Sequence, residues 1–347
     1  MNIYSWQELF PSRLSQIVFV VYILLFVNQG LLVTATQDSN NKYDYNIVTV
    51  VLCTEILKLI ISTLLYCREN KPSELVREII LHKKVLLLYF VPAALYCLYN
   101  NLSFLNLSHF DPTTYYLLLQ LRVVVTGILF QVIFGKILSK KQWLSLIILT
   151  IGCMVKQMNF SQDSQKVEVD SNSGSFIFSI NTIFIFVQIF CSCFAGVYNE
   201  YLLKNQGNDV NVFIQNVFMY LDSIICNVAL LCLDGSVSEV LQYENLAKTF
   251  QFKVVLVMIN NASVGIVTSF FLKMLNSILK NFASALELVL TAILCYIFFA
   301  IPIHLNTILS IAIVLYATYL YSKNPVSNHP KHSEHDDKEE LLQMEEV

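Results

Sequence analysis

The sequence predicts an all-α membrane protein in which ten transmembrane helices form two inverted five-helix repeats. Hydrophobic residues make up 56% of the 347-residue chain and charged residues only 14%, whereas a soluble domain carries about 25% charged residues. Ten apolar stretches approach the roughly 20 residues that a helix needs to cross a bilayer. A polar segment divides them five and five, and an odd number of spans per half gives the halves opposite orientations.

The predicted spans follow one another with short polar connections. They cover residues 14–36, 45–67, 84–106, 112–135, 141–158, 176–203, 212–233, 253–274, 281–300 and 303–322. We predict a first five-span repeat at 1–158, a lumenal linker at 159–175, a second five-span repeat at 176–322 and a disordered cytosolic tail at 323–347. The tail is assigned as disordered because it is polar and rich in charge.

The distribution of Lys and Arg predicts that both termini face the cytosol. In that orientation only Lys42, Lys156, Lys166, Lys248 and Lys253 fall on the lumenal side, and most other cations outside the spans lie in cytosolic segments. Cytosolic loops of membrane proteins are the ones enriched in Lys and Arg. The opposite orientation would therefore reverse the usual bias.

The tail contains Asp337, Leu341 and Leu342 in the pattern of an acidic dileucine sorting signal. Such a signal would direct the protein to endosomes or lysosomes. The alternative, which we favour, is a plain solvated charged tail.

Polar residues concentrate at two places within the apolar stretches. In the first half the candidate binding residues are Tyr96, Tyr99, Asn100, Asn101, Tyr115 and Arg122. In the second half they are Asn216, Asn260, Asn261 and Lys280. Such groups are costly in hydrocarbon, so they face protein or a water-filled cavity. Two similar sets, one in each half, predict a binding site between the two repeats.

Arg122 is a candidate phosphate ligand because it has no charged partner within a turn of its own helix. The planar guanidinium group can bind two phosphate oxygens at once. An ion pair with Glu55, Glu200 or Glu287 is the alternative interpretation.

Glu55 and Lys58 stand at positions i and i+3 of the second span, where their charges can neutralise each other on one helix face. Two interpretations stay open for this pair. It either fixes helix packing or lines the cavity.

The sequence shows no pattern typical of an enzyme. No GxSxG, HExxH or paired-carboxylate motif occurs, and the nine cysteines lack the spacing of a zinc site. We therefore predict no catalytic residue, no metal, no cofactor and no nucleic-acid partner. The expected partners are a small ligand and membrane lipid, and a homo-oligomer is left open.

Several segments resemble one family, the nucleotide-sugar transporters, in its UDP-galactose, UDP-N-acetylglucosamine and CMP-sialic acid branch. The segments, which follow in order along spans two to nine, are 54–58 (TEILK), 96–104 (YCLYNNLSF), 120–122 (QLR), 138–143 (LSKKQW), 194–200 (FAGVYNE) and 273–282 (KMLNSILKNF). The resemblance implies a Golgi antiporter that imports a UDP-sugar, with UDP-galactose favoured, in exchange for UMP.

The resemblance also implies roles for individual residues. Asn100 and Asn101 would contact the nucleotide, Tyr115 and Arg122 the phosphate side, and Lys280 would supply the second cation. The sequence departs from the family pattern at four positions, which are Arg122, where lysine is usual, and Asn276, Asn281 and Glu287. These departures leave two alternatives, a regulatory member that no longer transports and a carrier of CMP-sialic acid or another anionic metabolite.

Overall fold

The structure is a computed structural model that describes residues 9–36, 45–109, 112–157, 180–233, 235, 242–299 and 304–326. Within these ranges the regular structure is helical and contains no strand. The helices are α1 Arg13–Ala35, α2 Ile47–Glu69, α3 Pro72–Leu81, α4 Lys83–His109, α5 Pro112–Leu119, α6 Arg122–Phe134, α7 Lys140–Gln157, α8 Ile180–Tyr201, α9 Val212–Leu233, α10 Tyr243–Thr249, α11 Phe252–Met274, α12 Ser277–Phe299 and α13 Leu305–Ser322. A π-helical segment, Leu202–Gln206, extends α8.

The helices confirm the predicted class of a multi-span helical membrane protein. In the described part of the chain, eight helical segments are long and apolar enough to cross a membrane. The number is nine if α3 and α4, which meet at 80°, count as one span. Each stretch predicted as a span contains helix, and the stretch 112–135 contains two helices in succession. The total of ten crossings and the inverted arrangement stay predictions.

Several helix boundaries follow from local sequence. Asn46 caps α2, because its side-chain oxygen accepts hydrogen bonds from the backbone N–H groups of Val48 and Thr49. Pro72 stands at the first position of α3, where its missing N–H costs nothing. Gly135 ends α6 with φ of +62°, a left-handed conformation that glycine adopts without a steric penalty.

The α5–α6 span is interrupted at Gln120–Leu121, in the middle of an apolar stretch. Here the backbone turns tightly, since the N–H of Gln120 donates to the carbonyl of Leu117 and that of Leu121 to the carbonyl of Leu118. The Gln120 side chain donates to the carbonyl of Tyr116 at 3.2 Å. Because the freed carbonyl regains a partner, the break is tolerated away from water. A new helix then begins at Arg122.

The helices pack in a pattern that is similar for the two halves of the chain. Helix α1 packs on α11, and α4 packs on α8, so each of these contacts joins a helix of the first half to a helix of the second. Helices α6 and α8 are in contact, as are α12 and α1, while α2 packs on α9 and α7 packs on α13. The main buried cluster brings together residues of both halves, among them Tyr22, Phe130, Leu146, Ile189 and Phe282.

Several predicted features lie outside the described residues. They are the linker at 159–175, the tail from 327 onward and the sorting pattern of Asp337, Leu341 and Leu342. They stay predictions.

Candidate functional site

Two polar cavities lie between the two halves of the bundle. The first, which we call the cation cavity, has a volume of about 80 Å³ and lies between α6, α8 and α12. Its lining residues are Arg122, Thr126, Ser192, Cys193, Gly196, Val197, Ser277, Lys280, Asn281 and Ser284. The cavity therefore combines two cations with small hydroxyl-bearing and amide side chains.

Arg122 and Lys280, one from each half, both line the cation cavity. Arg122 is the first residue of α6, and Lys280 lies in the first turn of α12. The N-terminus of a helix carries a partial positive charge that favours anions. Two cations thus stand at two helix starts in the wall of this cavity.

The carboxylates that could neutralise Arg122 are engaged elsewhere. Glu55 pairs with Lys58 at 2.5 Å, and Glu200 pairs with Lys204 at 2.7 Å. Glu287 accepts a hydrogen bond from Thr291 at 3.2 Å. Across the described ranges, no carboxylate lies within 4 Å of the Arg122 or Lys280 side chains. The geometry therefore gives no support to the alternative in which Arg122 serves as an internal ion-pair partner.

The second cavity, which we call the polar cavity, has a volume of about 260 Å³ and lies between α2, α4, α9 and α11. Among its lining residues are Glu55, Lys58, Tyr96, Asn100 and Tyr220. A neighbouring space of about 280 Å³ shares Glu55, Lys58 and Asn100 and adds Asn261. Asn100 and Asn261 thus meet in one region although they come from different halves.

The two cavities approach each other at Tyr96 and Gly196. Tyr96 lines the polar cavity, and Gly196 lines the cation cavity. A Cβ atom built on Gly196 would lie 3.6 Å from the Tyr96 hydroxyl oxygen, so the hydroxyl end of this side chain lies close to the glycine. An extended ligand that filled both cavities would pass this tyrosine.

The Glu55–Lys58 pair is a largely buried ion pair in the wall of the polar cavity. It lines the polar cavity, yet only 13% of the Glu55 side chain and 14% of the Lys58 side chain are exposed. The Lys58 ammonium also lies 4.8 Å from the centre of the Tyr220 ring. The pair is therefore fixed in place by an aromatic neighbour as well as by its own ion pair.

Other predicted residues are occupied by hydrogen bonds that hold helices together. The amide of Asn260 accepts from Asn28 at 2.8 Å and donates to the Leu25 carbonyl at 3.1 Å. The hydroxyl of Tyr115 accepts from Gln188 at 2.8 Å, and Tyr115 is buried. Their part in ligand binding stays a prediction, because in this structure both side chains serve packing.

Three further candidates are not among the residues that line these cavities. Asn216 is buried on α9, and its side-chain nitrogen has no hydrogen-bond partner among the described residues. Tyr99 lies within electrostatic range of Arg122. The side chain of Asn101 is outside the described part of the structure.

Sequence reasoning missed much of the lining of the cation cavity, chiefly Ser192, Ser277 and Ser284. On α12 the lining residues Ser277, Lys280, Asn281 and Ser284 are spaced i, i+3, i+4 and i+7. That spacing places them on one helix face. A search for polar residues in the register of Lys280 would therefore have found the α12 wall.

The fold and the site define a multi-span membrane bundle with two cations in an internal cavity, and sequence comparison gives the family. The nucleotide-sugar transporter family model matches residues 11–322. The chain belongs to the nucleotide-sugar transporter family. It is therefore a multi-pass membrane transporter and not an enzyme.

Individual relatives extend this result. The chain is 55% identical to the UDP-galactose transporter senju of Drosophila melanogaster, an alignment that covers 93% of this chain and 90% of the relative. It is 28% identical to CMP-sialic acid transporter 1 of Oryza sativa subsp. japonica, over 88% of this chain and 93% of the relative. A solved crystal structure with 12% identity superposes with a TM-score of 0.60 over 89% of this chain and 96% of the other, which shows a shared fold alone.

Proposed function

We propose that the protein is a Golgi antiporter that carries a UDP-sugar, UDP-galactose in the first instance, into the lumen in exchange for UMP. The observation that carries the proposal is the meeting of Arg122 and Lys280 in one cavity without a carboxylate partner in the described residues. The choice of sugar rests on the 55% identity to a protein named as a UDP-galactose transporter. A diphosphate needs cations already fixed in place when it leaves water.

The arrangement of the two cavities supports a ligand with an anionic middle and polar ends. In our proposal the phosphates lie between Arg122 and Lys280. The nucleoside extends past Tyr96 into the polar cavity, where Asn100 and Asn261 offer amide groups to a base or a ribose. Tyr96 lines the polar cavity as well, and its aromatic ring is of the kind on which bases stack.

The packing pattern supports the inverted-repeat part of the proposal. If the halves are matched span by span, α1 corresponds to α8 and α4 to α11. The contact between α1 and α11 then has its counterpart in the contact between α4 and α8. The contacts α6–α8 and α12–α1 form a second matched pair. On the same matching, Arg122 and Lys280 both belong to the fourth span of their halves, Arg122 in its middle, where α6 begins, and Lys280 in the first turn of α12.

Exchange without coupling to protons or sodium follows from the charges of the cation cavity. Its described lining contains two cations and no carboxylate. Proton-coupled transporters use titratable Asp, Glu or His side chains inside the membrane, and none of these lines the described part of the cation cavity. We therefore expect the nucleoside monophosphate, not an ion gradient, to drive uptake.

Reconstitution of the purified protein into liposomes tests the proposal. Liposomes loaded with UMP, loaded with CMP or left empty are given labelled UDP-galactose. We expect rapid uptake only into UMP-loaded vesicles. Preference for CMP with labelled CMP-sialic acid would replace the UDP-sugar assignment, and no exchange with either nucleotide would indicate a regulatory member.

A further inference from the structure

Glu200 is a buried carboxylate with an unusually complete set of partners. It is 0% exposed, and one of its oxygens accepts hydrogen bonds from the backbone N–H of Ser277 at 2.7 Å and from the Ser277 hydroxyl at 2.6 Å. Its other oxygen accepts from the Lys204 ammonium at 2.7 Å. This carboxylate therefore attaches the end of α8 to the first residue of α12.

Lys204 makes a second attachment at the same place. Its ammonium group also donates to the backbone carbonyl of Leu275, which lies in the two-residue connection between α11 and α12. Lys204 belongs to the π-helical segment, a distortion that is frequent at functional sites in helices. The Glu200–Lys204 pair thus contacts the α11–α12 connection at Leu275 and the first residue of α12, Ser277.

The partner of Glu200 is also part of the cation cavity. Ser277 lines that cavity together with Arg122 and Lys280, and Glu200 lies within electrostatic range of Lys280. The carboxylate occupies the start of α12, where the helix dipole favours a negative charge. A phosphate bound between Arg122 and Lys280 would bring a second negative charge to the same helix start.

We propose that Glu200 is a positioning residue for exchange, an internal anion that holds α12 against α8 while the cation cavity is empty. Binding of a substrate phosphate beside Ser277 opposes the Glu200 carboxylate, because like charges repel strongly where water is scarce. The attachment of α12 to α8 then weakens, and this end of the bundle can open. An empty carrier keeps the attachment, which makes the conformational change depend on bound nucleotide.

The inference rests on the proposed function and predicts a specific loss of coupling. Glu200→Gln keeps an oxygen that can accept from Ser277 but removes the charge. We expect labelled UMP to enter empty liposomes about tenfold faster than with the wild type, which is the lower end of the effect of one charged hydrogen bond. Uptake into UMP-loaded liposomes should change far less, so the ratio of loaded to empty uptake should fall.

Two further variants keep the test decisive. Ser277→Ala removes one of the two hydrogen bonds that Ser277 donates to Glu200. It should lower the ratio of loaded to empty uptake by a smaller factor than Glu200→Gln. Glu78→Gln, on α3 outside the cavities, is the matched control and should leave the ratio unchanged. Wild-type ratios in folded, UMP-binding Glu200→Gln and Ser277→Ala proteins would overturn the inference.

The remaining outcomes are also distinguishable. If both variants lose thermal stability while their residual uptake keeps the wild-type ratio, Glu200 has a structural role alone and the inference is wrong. If the wild type itself shows no nucleotide-dependent exchange, the proposed function fails before Glu200 is tested.

Discussion

Neutralising either cation of the cation cavity should cost most of the affinity for UMP. The described lining of the cation cavity holds two cations, and Arg122→Gln and Lys280→Gln each remove one of them. Truncation of a charged hydrogen-bonding partner in a buried contact costs about 2–5 kcal/mol. Since 1.4 kcal/mol corresponds to a tenfold change, the dissociation constant should rise by about 30-fold or more.

The assay is equilibrium binding of labelled UMP to purified protein, with thermal stability measured on the same samples. Arg122→Lys should retain intermediate affinity, because a point charge replaces the planar fork but its sign is kept. Lys273→Gln is the matched control, since Lys273 lies in the last turn of α11 and does not line the cation cavity. Wild-type UMP affinity in a folded Arg122→Gln protein would refute the reasoning.

A double variant separates this account from a structural role of Arg122. If Arg122 served to neutralise Glu55, Arg122→Gln would destabilise the protein and Glu55→Gln would restore its stability. Glu55 pairs instead with Lys58 at 2.5 Å. We therefore expect no restoration, and a rescued melting temperature in Arg122→Gln/Glu55→Gln would contradict the structure.

Three other outcomes follow from the structure and the sequence. Glu55→Gln removes one charge of the buried Glu55–Lys58 pair and should lower the free energy of unfolding by about 3 kcal/mol. The double variant Glu55→Gln/Lys58→Gln should recover part of this loss in thermal unfolding. Additive losses would show that the two side chains are not coupled. Asn260→Ala should lower stability by about 1–3 kcal/mol through its lost hydrogen bonds to α1 while UMP affinity stays unchanged, whereas weaker binding at normal stability would make it a ligand residue. In sealed vesicles, external protease should digest tags on both termini and spare a tag in the 159–175 loop; the reverse pattern would overturn the orientation.

The position of Arg122 and Lys280 at an internal site was predictable from the sequence, because a charged side chain in an apolar span cannot face lipid. A cation that cannot face lipid must face a partner or a cavity, and each half supplied one without a neighbouring carboxylate on its helix. The cavity that contains Asn100 and Glu55 follows from the same argument. What the structure adds is the separation of these groups into two adjoining cavities.

Other features depend on tertiary contacts that no local pattern reveals. The interruption before Arg122 contains neither glycine nor proline, and it is stabilised by the side chain of Gln120. The Asn260 stretch matches the Asn100 stretch in sequence, yet Asn260 bonds to α1 while Asn100 lines a cavity. The role of Glu200 likewise depends on Ser277, which lies 77 positions away in the sequence.

The central claim is that the protein recognises the phosphate of its nucleotide through Arg122 and Lys280. The most direct measurement compares the thermal stabilisation of the wild-type protein by uridine, UMP and UDP-galactose at equal concentration. A ligand at about 100 times its dissociation constant stabilises a protein by about 2.7 kcal/mol. The account predicts clear stabilisation by UMP and UDP-galactose and almost none by uridine, and stabilisation by uridine equal to that by UMP would contradict it.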